Sequence, residues 1–106
     1  MSFAGADEAA HQGRLAVLRS LQGQHDEAVT LAKASADGLK EFPSKSTRAQ
    51  SLSRLGSILL AANRGNEAMA PLQQSIALFN EAQVPESPER AEAMAMLSQV
   101  RTSQNQ

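Results

Sequence analysis

Two stretches of the chain repeat one another about 40 residues apart, and this spacing restricts the fold more than any other feature. The first runs from Leu15 to Ala28 and the second from Leu55 to Ala68. Each holds apolar residues three and four apart, the signature of one helix face. Each then reaches a residue that tolerates left-handed backbone, Gly23 or Asn63, and a Glu-Ala pair that opens another helix. Such a period is that of helical repeat arrays, in which every unit stacks on its neighbour.

Start and stop signals divide the chain into five helices. The first is predicted over about 6–22, with Ala10 leading into a stripe of Val17, Leu18 and Leu21, and Gly23 as its stop. The second covers about 25–41, with Ala28, Leu31, Ala32, Ala36 and Leu39 inward, and Gly38 loosens its last turn. The third covers about 47–62, capped by Ser46 or Thr47, with Leu52, Leu55, Ile58, Leu59 and Ala62 as its stripe. The fourth covers about 66–82, with Ala68, Met69, Leu72, Ile76 and Phe79 inward and Pro71 tolerated in its first turns. Val84 to Pro88 ends it. Ser87-Pro88-Glu89 then starts a fifth helix over about 88–102, with Met94, Leu97 and Val100 apolar. Ser103 to Gln106 forms a polar, frayed tail. Short turns inside each unit force antiparallel helix pairs. The chain therefore reads as one all-α domain: a hairpin over about 6–42, a second over about 47–83, and an extra C-terminal helix.

Composition agrees. The 106 residues are 42% hydrophobic but only 3% aromatic, so the core must be built from Ala, Leu, Ile, Val and Met, in which helix formers outnumber strand formers. The formal net charge is −1, with no run of Lys or Arg and few aromatics for base stacking, which argues against a nucleic-acid partner. The absence of cysteine excludes disulfides and thiolate chemistry. No apolar run approaches the roughly 18 residues of a membrane span, so the expected setting is the cytoplasm.

The residues resemble the tetratricopeptide repeat, in its longer variety of about 40–42 residues seen in kinesin light chains. Leu15-Ala16 and Leu55-Gly56 match the large–small pair of the repeat's first helix. Ala28 and Ala68 match the small residue early in its second. Glu67-Ala68-Met69-Ala70-Pro71-Leu72 is similar to a run common in the long variety, and Leu97-Ser98 looks like the large–small pair of a third unit. Ser35 and Ser75 stand where the family usually has Ala; Arg19, Leu59 and Arg101 stand where it usually has a large aromatic. The resemblance implies a right-handed αα-hairpin solenoid of two hairpins plus a fifth, capping helix. It also implies a protein-interaction module that binds a peptide or partner helix in a concave groove lined by the first helices of successive units.

On that implication the groove takes Arg14, Val17 and Leu21 from the first helix, with Ala10 and Gly13. Gln50, Ser53, Arg54 and Ser57 come from the third, with Ala61, and Met96 and Gln99 from the fifth, with Glu92 and Ala95. Arg14 and Arg54 are equivalent positions, suited together to an acidic peptide. The chaperone-tail clamp of Lys and Asn is not expected, because Gly13 and Ser53 occupy its Lys positions. An alternative is self-association through Met94, Leu97 and Val100, which lack a following helix to cover them. Met94 is read as core and Met96 as exposed.

No catalytic, metal or cofactor site is expected. Glu8 and His11 lie one helical turn apart without further ligands converging, and His25-Asp26-Glu27 reads as a helix start. No serine lies in a nucleophile elbow and no glycine run forms a phosphate loop.

Overall fold

The computed structural model describes residues 4–83 and 87–104. It contains five helices: α1 (Ala4–Leu21), α2 (His25–Gly38), α3 (Lys45–Ala61), α4 (Gly65–Glu81) and α5 (Pro88–Gln104). No strand occurs among the described residues. α1 packs on α2 and α3 on α4 as antiparallel hairpins, while α2 meets α3 and α4 meets α5 between units. The result is an all-α helical-hairpin solenoid.

The two intra-hairpin turns share one backbone solution. Gly23 (φ 81°) and Asn63 (φ 61°) are left-handed. Around them Gly23 N–H donates to the Ser20 carbonyl at 3.0 Å and Gln24 N–H to Arg19 at 2.9 Å. Asn63 N–H donates to Leu60 at 3.0 Å and Arg64 N–H to Leu59 at 2.8 Å. This pair of bonds, one short and one long, satisfies the last carbonyls of α1 and α3 and reverses the chain. Gln83 ends α4 with φ 60° and its N–H on the Asn80 carbonyl at 3.1 Å. A glutamine pays a steric cost in this region that glycine avoids. Gln83→Gly is therefore expected to raise the thermal midpoint by a few degrees, about 0.5–1 kcal/mol, in a melt followed by circular dichroism; a lower midpoint would refute the strain.

α1 begins at Ala4, two residues before its expected start, and α3 differs from expectation in its cap. Ser44, rather than Ser46 or Thr47, caps α3: its Oγ accepts from Thr47 N–H at 3.2 Å, so the helix begins two residues earlier. Ser87 caps α5 as anticipated, accepting from Arg90 N–H at 3.0 Å. Pro71 lies beyond the first turn of α4, so the helix forgoes the bond to the Glu67 carbonyl. α2 ends at Gly38, and Leu39 to Phe42 continue as a turn in place of its expected last helical turn. The expected stop over Val84 to Glu86, and Asn105 and Gln106 of the expected tail, lie outside the described residues; Ser103 and Gln104 are helical.

The core runs between the two hairpins and under α5. Ala28, Val29 and Ala32 of α2 meet Leu55, Ile58 and Leu59 of α3, Ala68 and Leu72 of α4, and Ala93, Leu97 and Val100 of α5. The contribution of α1 corrects the expected stripe. Ala9, Gly13 and Ala16 are buried, whereas Val17, Leu18 and Leu21 are exposed. The small residues at four- and three-residue spacing let α1 approach its neighbours closely, and the large ones are rotated out of that face. In α5, Ala93 rather than Met94 turns inward; Met94 is exposed and Met96 packs partly against the core, the reverse of the expectation. Leu31, Ala36, Ala62, Met69 and Ile76 are partly buried at its edge.

The buried serines differ although they are equivalent. Ser75 Oγ donates to the Ala49 carbonyl at 2.7 Å, tying α4 to α3. Ser35, 40 residues earlier, is buried with no partner for its Oγ among the described residues. On the surface, Arg64 Nε and Nη2 bond both oxygens of Glu67, at 2.5 and 2.7 Å. That bidentate bond holds the Glu67 carboxyl below its ordinary range and raises Arg64. Glu67 is exposed and Arg64 half-exposed, so the pair trims the α3–α4 turn without anchoring the fold.

Candidate peptide-binding groove

α1 and α3 are the first helices of their hairpins, and together with α5 they wall a hollow of about 700 Å³. Because α1 turns its small residues inward, two of its large apolar side chains fall into this hollow. Val17 is 39% and Leu21 81% exposed, and both line it. Gln50, Ser53, Arg54 and Ser57 enter from α3, with Ile58 and Ala61 at the apolar end. Met96 and Ala95 enter from α5.

The structure therefore brings together seven of the nine side chains singled out for a groove. Arg14 is exposed on α1 but does not line the hollow. Gln99 faces separate shallow depressions along and beside α5. The paired-arginine arrangement is thus not assembled: Arg54 alone lines the hollow. Its guanidinium rests on Gly13, in the space a side chain there would fill, and Ser35 Oγ lies 2.9 Å from that same missing Cβ position. Gly13 is what admits Arg54 between α1 and α3.

Sequence reasoning missed Glu89. It stands one turn before Glu92 and both line the hollow, so extending the Glu92–Met96 face back by one turn would have found it. A second cleft of about 680 Å³ was also missed. It lies between the hairpins, over Leu52 and Leu55, with Lys33, Arg48 and Glu81 at its edges. Sequence periodicity marks faces within a unit and not the gap between units. Many of its charges are engaged: Lys33 with Glu67 at 3.8 Å, Lys45 with Glu81 at 3.9 Å, and Arg48 Nη1 on the Lys40 carbonyl at 3.4 Å.

The expected self-association face is not left open. Leu97 and Val100 are buried within the chain, so only Met94 of the three is presented to solvent. No group of three or more His, Asp or Glu that could hold a metal comes together among the described residues. No described helix is long and apolar enough to cross a membrane.

Two antiparallel helical hairpins, stacked about 40 residues apart with their first helices lining one hollow, define a helical-repeat protein. The sequence model of the tetratricopeptide repeat matches residues 7–81, and the chain belongs to that family. No curated protein and no solved structure matches it. Tetratricopeptide repeats are a non-catalytic family and generally protein–protein interaction modules. α5 lies beyond the matched residues, yet it forms the third wall of the hollow.

Proposed function

We propose that this chain binds a partner polypeptide, as an extended peptide or a helix, in the hollow between α1, α3 and α5, as a scaffold or regulatory part of a larger assembly. One observation supports this above the rest: Val17 and Leu21 are exposed, contiguous with Ile58, Ala61 and Met96, and gathered in one concavity. Single exposed aliphatics are ordinary, but a gathered apolar floor with a polar rim is the form of a binding site. Covering a leucine this exposed stabilises a complex by about 1.5–3 kcal/mol.

The test is a pair of variants on one helix. Take a peptide selected for binding to the full chain and measure its affinity by calorimetry. Leu21→Asp should weaken it at least tenfold. Leu18→Asp, on an exposed residue of α1 that does not line the hollow, should leave it within a factor of two. Equal affinity in both variants would sink the groove.

A further inference from the structure

The charges of the hollow are unbalanced, and they are placed unevenly. Glu89 and Glu92 enter it from the first two turns of α5, against the single cation Arg54 in the middle of α3. Glu89 accepts a bond from Ser87 Oγ at 3.1 Å. Glu92 is exposed and makes no ion pair or side-chain hydrogen bond among the described residues. Arg54 is partly withdrawn, its guanidinium seated on Gly13. The apolar floor of Val17, Leu21 and Ala61 belongs to the C-terminal ends of α1 and α3, away from the acidic corner.

Resting on the groove reading above, we infer that the occupant is a basic–apolar peptide. It sets a large aliphatic side chain on Val17 and Leu21, and a lysine or arginine against Glu89 and Glu92. An acidic peptide, which two stacked arginines would favour, meets two carboxylates and only one half-buried guanidinium. Arg54 instead offers its N–H donors to the backbone carbonyls of the bound segment. The acidic corner is solvated, so it adds modestly to affinity and strongly to partner choice, and it weakens with salt.

The probe is a display library of random 12-residue peptides, selected on the immobilised full chain at low salt. Binders are sorted by whether Leu21→Asp abolishes binding. Those it abolishes should pair a large aliphatic residue with Lys or Arg. They should lose about tenfold in affinity on Glu92→Lys, with the helical circular dichroism of that variant unchanged, and about as much in high salt. Glu92→Lys used as bait should select acidic residues instead. Leu21-dependent binders that are acidic, or uncharged, or indifferent to Glu92→Lys overturn this inference and leave the groove standing. A library with no Leu21-dependent binder overturns both.

Discussion

Gly56→Ala is expected to lower the unfolding free energy by about 1–3 kcal/mol, even though alanine is the better helix former. A Cβ on Gly56 would stand 2.5 Å from Leu72 Cδ2 and 2.6 Å from its Cγ. The Cγ is held by the leucine backbone two bonds away, so the clash cannot be relieved by a terminal rotation alone. Both residues are buried, Leu72 completely. The first hairpin places Ala16 and Ala32 at the equivalent positions, and both are buried as well. One hairpin places two methyl groups at these positions, the other a bare Cα against an isobutyl group. Leu72→Ala alone should cost about 2–5 kcal/mol, since it removes a core side chain and leaves a cavity. The double variant Gly56→Ala/Leu72→Ala rebuilds the alanine pair. Its cost should fall short of the sum of the single costs by about 1 kcal/mol or more. Urea unfolding of the four proteins measures this directly; strictly additive costs would show that the two positions do not share a packing contact.

The parts of the fold legible in the sequence were those set by backbone chemistry over a few residues. Gly23 and Asn63 announce left-handed turns because few other residues accept that geometry. Ser87-Pro88-Glu89 announces a helix start for a similar reason. Gln83 adopts the same left-handed backbone with no such signature, since glutamine is not a residue that marks this geometry. Which face of a helix turns inward was less legible. In α1 the largest apolar residues suggested the buried stripe, yet close approach selected Ala9, Gly13 and Ala16. Met94 was misassigned for the same reason: Ala93 fits the narrow gap. Arg14 and Arg54 are equivalent in sequence, but the bare Cα of Gly13 makes room for the Arg54 guanidinium, and of the two only Arg54 lines the hollow. Glu89 carries the signature of a helix start, which masks its place on the same face as Glu92, one turn further on.

Leu97→Asp is expected to detach α5 and to abolish peptide binding, although Leu97 does not line the hollow. Leu97 is 6% exposed, and α5 is held to the hairpins by Ala93, Leu97 and Val100. Around that apolar seat the bonds are peripheral, Arg90 Nε to Asn80 Oδ1 at 2.8 Å and Gln104 Nε2 to Asn66 Oδ1 at 2.6 Å. An aspartate there loses the burial of a leucine and must either desolvate a carboxylate or leave. The cost, about 4 kcal/mol or more, exceeds what the remaining contacts of α5 are expected to supply. α5 should therefore unfold locally while the two hairpins persist. Circular dichroism should lose the signal of one helix in five, and amide exchange should accelerate in α5 first. Binding then fails because Glu89, Glu92 and Met96 no longer wall the hollow. Met94→Asp is the control: on an exposed residue of the same helix, it should change stability by no more than about 0.5 kcal/mol and keep the groove intact. A Leu97→Asp protein that keeps its full helix signal and its affinity would show that the third wall is held by something other than this apolar seat.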